Sequence, residues 1–585
     1  MRTWSCEAYG RMLAVVTATS LLLACGGSSG EDMGFVIRRD LGPVEDEGME
    51  PRDMGPPAPD EGMECFGLSD PDNGRVLTTE GEVQGEMVEE IWAFKGVPYA
   101  APPTGSRRFR APAAFGCHSS AFVADDFGSV CPQLDTEGEV VGDEDCLTIN
   151  IWSPDLTPIT PRAVVLFIHG GSHDSGSSAD PILDGAALAA GRIQPPAIPS
   201  TVVVTFNYRL GPLGYLAHPD LTAEGGERAS GNYGTLDQRA ALRWVRDNIE
   251  RFGGDPNKIM LVGQGAGASA VCALAANDET RPLFTSAAIM SGTCTARTLE
   301  EAESDGEDVA GEVGCGGSDD VPGCLRGLDA GTLISTQADR VPEYARFGPD
   351  PYREVVDDFI LTDPPLTMIE GRGEGSLRLI VGSTTGETGV ETPRPQTAED
   401  LLNAVAAFFS NETETRALEI ASAALQFYPP ANNPGQRRTR WIEVTTDAKY
   451  TCWARQIARS FTEVQDPMTV YRYYFIRTPA DEFRLVPVHG IDLGFLFGTR
   501  PFPETDTRSI SLSRILRQYW VSMAENGVPS SPNTAAWDSY RLNVGFPERT
   551  IELGTASGTL VPDPEPDVRM AECDFWDGEL GERGP

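Results

Sequence analysis

Lys258-Ile259-Met260-Leu261-Val262 is a short apolar run that breaks off at Gly263-Gln264-Gly265-Ala266-Gly267, and Ala268 to Ala276 follow with almost nothing but small residues. A continuous apolar run of this length reads as a strand buried on both faces. The glycines after Val262 permit a sharp turn. The small residues beyond suit a helix packed tightly against its neighbours. Strand, glycine turn and helix thus follow one another within 19 residues, from Lys258 to Ala276.

The same alternation extends outward. Ala163-Val164-Val165-Leu166-Phe167-Ile168, Thr201-Val202-Val203-Val204-Thr205-Phe206 and Leu377-Arg378-Leu379-Ile380-Val381 read as further buried strands, and Met468 to Phe475 as another. Leu236, Ala240, Trp244, Val245 and Ile249 recur at helical spacing, and Gly253-Gly254 stops that helix. Ile515, Leu516, Tyr519, Trp520 and Met523 mark another helix. Strands alternating with helices predict an α/β fold with a large, mostly parallel central sheet covered on both faces. Ligands then belong at the C-terminal ends of the strands.

The bulk properties exclude some functions. With 46 basic against 87 acidic residues the net charge is −41, so the chain repels phosphate backbones and no nucleic-acid partner is expected. Residues 1–24 read as a signal peptide, with Arg2 and Arg11 ahead of an apolar run from Met12 to Ala24 that is too short to span a bilayer. Leu22-Leu23-Ala24-Cys25 resembles a bacterial lipoprotein processing site, which implies lipidation of Cys25 and a membrane anchor; an ordinary secretory cleavage nearby is the alternative. Residues 25–65 are rich in Gly, Pro, Asp and Glu and read as a disordered acidic tether. The folded domain is expected over 66–585, exported and anchored to the bacterial cell envelope at its periplasmic face or the cell surface. Beyond Cys25 ten cysteines remain, an even count that reads as disulfides behind an export signal. No cysteine or histidine spacing suits a metal, and no cofactor motif occurs.

The turn at Gly263–Gly267 has the context of a nucleophile elbow, Gly-x-Ser-x-Gly, but its centre is Gly265. Around it stand Phe94-Lys95-Gly96-Val97-Pro98-Tyr99-Ala100, Glu144-Asp145-Cys146-Leu147-Thr148-Ile149-Asn150-Ile151-Trp152, Asn207-Tyr208-Arg209-Leu210-Gly211, Leu236-Asp237-Gln238 and Phe252-Gly253-Gly254-Asp255-Pro256. In this order the motifs resemble the type-B carboxylesterases, which include cholinesterases, fungal lipases and the non-enzymatic neuroligins. The resemblance implies an α/β-hydrolase fold and a triad of serine, acid and histidine. Its histidine is His489, in His489-Gly490-Ile491-Asp492-Leu493-Gly494-Phe495, and its acid is Glu387. Its oxyanion-hole donors are Gly171 and Ser172, in His169-Gly170-Gly171-Ser172-His173, and Ala266.

Departures from the family pattern gather around the reaction centre. Gly265 replaces the serine, as in neuroligins, Gln264 replaces a glutamate, Ser172 replaces a glycine and His173 replaces an aromatic wall. Thr388 stands where a glycine usually follows the acid. The resemblance also implies disulfides Cys131–Cys146, Cys315–Cys324 and Cys452–Cys573, with ion pairs Arg108–Glu144 and Arg209–Asp237. Cys272–Cys294 and Cys65–Cys117 are then the remaining pairs, beside isolated buried thiols. The loop from Cys131 to Cys146 carries no aromatic residue that could hold a choline cation, which argues against cholinesterase specificity.

Glycine has no hydroxyl and forms no acyl-enzyme. The expected function is a carboxylesterase-family protein that does not hydrolyse esters through a serine. It is expected to bind a small hydrophobic ester-like ligand or a protein partner at the envelope. The alternative is a weak or re-purposed ester hydrolase in which His489 and Glu387 activate water directly.

Overall fold

The computed structural model describes residues 65–580 apart from 66, 119, 192–198, 226–228, 338–346, 348–350, 371–376, 391, 410, 430–431, 464–468, 481–485, 533, 535, 541–547, 555–562 and 567–568. Cys25, the expected signal peptide over 1–24 and nearly all of the expected tether over 25–65 lie outside the described residues.

Eleven strands form the central sheet. In chain order they are β1 (Glu86–Val88), β2 (Ile91–Pro98), β3 (Thr148–Ser153), β4 (Arg162–Ile168), β5 (Val202–Phe206), β6 (Gly254–Gln264), β7 (Ser286–Met290), β8 (Arg378–Thr384), β9 (Thr469–Phe475), β10 (Arg549–Leu553) and β11 (Asp563–Pro566). Across the sheet they run β11-β10-β9-β8-β7-β6-β4-β5-β3-β2-β1. From β5 to β10 every pairing is parallel. Both edges are antiparallel: β5, β3, β2 and β1 on one side, β10 and β11 on the other. The expected strands therefore form the parallel centre, and the sheet continues beyond it through arms that the apolar runs do not announce.

Period-two alternation explains why the centre is covered twice. Val164, Leu166 and Ile168 of β4 enter one core, while Val165 and Phe167 enter the other. Helix α1 (Tyr233–Asn248) and helix α2 (Ala266–Ala276) bury their apolar residues in the first core. Helix α4 (Thr507–Asn526), preceded by the short α3 (Ile491–Phe497), fills the second with Leu516, Tyr519, Trp520 and Met523. Burying such a set of side chains contributes about 1.5–3 kcal/mol per large residue before entropy is subtracted.

Five disulfides brace this body: Cys65–Cys117, Cys131–Cys146, Cys272–Cys294, Cys315–Cys324 and Cys452–Cys573. The last joins residues 121 positions apart and ties the helix Cys452–Glu463 to the helix Met570–Leu580. Such a closure removes much of the freedom of the unfolded chain.

Candidate active site

The site begins where β6 meets α2. Gly265 lies at the joint with φ +58° and ψ −125°, a conformation that strains any side-chain-bearing residue. Its N–H donates to the Met290 carbonyl of β7 at 3.0 Å, which pins the turn to the neighbouring strand. Gly267 is required by proximity, because a Cβ there would run into the Ile168 carbonyl oxygen. The loop after β4 crosses the same turn. A Cβ on Gly170 would fall 2.6 Å from the Gln264 carbonyl oxygen.

Two more segments deliver the acid and the histidine. Glu387 follows β8 and is fully buried. Its Oε1 accepts from Ser291 Oγ at 2.6 Å and from the Thr384 backbone N–H at 2.5 Å. Its Oε2 accepts from His489 Nδ1 at 2.6 Å. These bonds converge on one carboxylate and fix the imidazole from behind. The ring rests against Tyr450, with centroids 5.1 Å apart. Gly490, at φ +72°, then turns the chain into α3.

On the other side of the ring, His489 Nε2 meets the side-chain nitrogen of Gln264 at 2.7 Å. With the amide N–H donating to Nε2 and Nδ1–H donating to Glu387, the ring carries its proton on Nδ1. The position where a triad serine would offer its hydroxyl holds no side chain. A Cβ built on Gly265 would lie only 2.9 Å from Nε2.

The loop His169–His173 forms the adjoining wall. Gly171, Ser172 and His173 all have positive φ, at +110°, +55° and +59°. The Gly171 carbonyl accepts the N–H groups of Asp174 and Ser175, at 3.0 and 2.9 Å, and so organises the turn. Ala266 begins α2 directly after the elbow, so the sequence-predicted Gly171, Ser172 and Ala266 stand on the two segments that meet at Gly265. His169 is buried, stacked on Tyr208, and desolvation pushes its pKa down to about 4, so it is neutral at physiological pH. His173 is buried too, with Nε2 3.2 Å from Glu354 Oε1. Burial alone would push Glu354 up, but His173 and then Arg353 hold it below the usual carboxylate range.

Several partners go unrecognised in the sequence. Ser291 and the Thr384 N–H hold the acid, Glu354 faces His173, and Gln264 engages His489. Asp492, two residues beyond Gly490, accepts from Tyr473 at 3.0 Å, and burial with the nearby charge of Glu387 pushes it up to about 6. Only Gln264 carries a signal, as a departure beside the elbow. Ser269 lies within α2, where its hydroxyl is bonded to Thr293 at 3.2 Å.

Both expected ion pairs form. Arg108 grips Glu144 through two bonds of 2.8 and 2.6 Å and also donates to the Leu325 and Leu328 carbonyls. Arg209 grips Asp237 through two bonds of 2.7 Å. A mostly parallel sheet covered on both faces, with an elbow and an acid at the C-terminal ends of its strands and a histidine bonded to that acid, defines an α/β-hydrolase. The sequence profile of the carboxylesterase family matches residues 72–567, and the chain belongs to that family.

Among its relatives, fumonisin B1 esterase of Sphingopyxis macrogoltabida is 31% identical over 499 residues, covering 82% of this chain and 87% of that protein. Para-nitrobenzyl esterase of Bacillus subtilis (strain 168) is 29% identical over 518 residues, covering 85% and 98%. Neuroligin-2 of Homo sapiens is 28% identical over 538 residues, covering 80% of this chain and 62% of that protein.

Proposed function

We propose that this chain is a carboxylesterase-family protein without serine-esterase activity, and that it acts by binding. The carrying observation is Gly265 at the elbow, facing a histidine whose Nε2 is already engaged by Gln264. Without a hydroxyl there is no acyl-enzyme route, and serine hydrolases stripped of their nucleophile retain only about 10³–10⁴ over water. The His489–Glu387 pair is the feature a residual hydrolase would need. The Nε2 lone pair is the one that would take a proton from water, and Gln264 occupies it. The ligand is a small hydrophobic ester-like molecule or a protein partner. The place of action is the bacterial envelope, with Cys25 as lipid anchor; the Leu22–Cys25 sequence and the five disulfides support an exported protein.

The test is p-nitrophenyl ester hydrolysis by the purified full chain beside His489→Ala. The expected result is no rate above a heat-denatured control for either protein. Turnover by the parent that disappears in His489→Ala would overturn the reading and favour water activation by His489 and Glu387.

A further inference from the structure

We infer that Gln264 is a positioning residue that takes the vacant place of the nucleophile on His489, and that it locks the histidine out of base chemistry. The inference rests on the non-hydrolytic reading above. Three observations carry it. The first is the 2.7 Å contact between the Gln264 side-chain nitrogen and His489 Nε2, the hydrogen bond that a triad serine would otherwise make. The second is confinement. Gln264 is only 5% exposed, and its Oε1 sits between two backbone turns: a Cβ on Gly170 would be 2.9 Å from it and one on Gly490 3.6 Å. The amide is therefore held in the gap between the loop after β4 and the turn before α3. The third is the position of the ring, since even a bare Cβ on Gly265 would stand 2.9 Å from Nε2. A serine placed there needs the imidazole to retreat and the amide to let go.

The chemistry follows from the donor. A serine hydroxyl bonded to Nε2 can pass its proton to the ring and attack. An amide N–H is far too weak an acid to do so at neutral pH, so the bond with Gln264 ends the relay while satisfying the same lone pair. Restoring the serine alone then gives a nucleophile whose base is already engaged.

The experiment compares full-length Gly265→Ser with the double variant Gly265→Ser/Gln264→Ala on p-nitrophenyl esters, with melting curves to establish folding. The expected result is a kcat at least tenfold higher in the double variant. Equal rates in two folded proteins would overturn the inference and leave the non-hydrolytic reading of the parent standing, whereas hydrolysis by the parent itself would sink that reading instead. Should the serine variants fail to fold or stay silent, ¹⁵N spectra of the histidine rings in the parent and in Gln264→Ala decide the matter. The parent is expected to show His489 protonated on Nδ1 in its neutral form. Its titration midpoint should rise by at least half a pH unit in Gln264→Ala, because a donor that favours the neutral ring is lost. An unchanged midpoint and tautomer would overturn the inference.

Discussion

Two pairs of a nitrogen base and a buried carboxylate anchor this molecule, and they end differently. At Arg209–Asp237 the guanidinium spends two donors on the carboxylate and a third on the Tyr233 carbonyl, and the Arg209 backbone N–H returns to the same Asp237. The pair joins the segment after β5 to α1, and both oxygens of its carboxylate accept bonds within the scaffold. At Glu387–His489 the carboxylate is equally well held, but the chain of bonds runs outward, to Nε2 and then to Gln264. The first pair closes within the scaffold, its bonds running only to backbone groups and to each other. The second runs on through the imidazole and ends on a neighbouring side chain, Gln264. Two base–carboxylate pairs on one scaffold thus differ in where their bonds end.

The largest effect expected from this contrast is on stability. Arg209→Leu, which leaves Asp237 buried without its partner, should cost about 3–5 kcal/mol. His489→Ala removes a ring that is 20% exposed at its side chain, and should cost about 1–2 kcal/mol, the range of lost hydrogen bonds at a partly wet site. Urea titrations of both variants check the difference. Equal losses would mean that the second pair is as much a part of the scaffold as the first.

Asp492 sharpens the comparison from below the second pair. Its folded pKa of about 6 lies above the ordinary 3.8, with burial as the main cause and the Glu387 charge next. The folded state therefore holds this proton more tightly than the unfolded chain. Stability is greatest below about pH 4 as far as this group is concerned, and falls as pH rises toward and through 6. Above that window the penalty is about 3 kcal/mol, since each tenfold gain in proton affinity on folding is worth about 1.4 kcal/mol. Asp492→Asn keeps an acceptor for Tyr473 and removes the penalty. It should raise stability by up to that amount at pH 7 and leave it nearly unchanged at pH 4, read from denaturation midpoints at the two pH values.

The parts of the molecule legible in the sequence are those fixed by local chemistry. Val202–Phe206 is apolar at nearly every position because both of its faces are buried, so an apolar run is enough to find it. β2 is less regular: its burial alternation slips near Gly96, where the register with β3 also shifts, and no simple period marks it. Gly265, Glu387 and His489 are legible through motif order, which encodes the ends of strands. Their partners are not, because Gln264 and His489 stand 225 residues apart, and Ser291 and Glu387 stand 96 apart. Contacts of that kind arise only when side chains from separate strand ends converge. Glu354 escapes notice for the same reason, as a buried charge whose role shows only in the histidine it faces.

The smallest effect is the one that tests how tightly the elbow and the histidine are coupled. Gly265→Ala adds a single methyl at φ +58°, where an L residue is strained, and sets it 2.9 Å from Nε2. The expected cost is about 1–3 kcal/mol. Part of that is backbone strain, which no neighbour can relieve. The rest is the contact with the ring, which is held in place by Glu387 on one side and Gln264 on the other. In a Gln264→Ala background the ring can withdraw, so the same methyl should cost less. A double-mutant cycle between the two positions is expected to give a coupling of about 0.5–1 kcal/mol, within the range found for residues that share a partner. Additive losses would mean that the methyl is accommodated by backbone movement alone and that Gln264 does not hold the ring against the elbow.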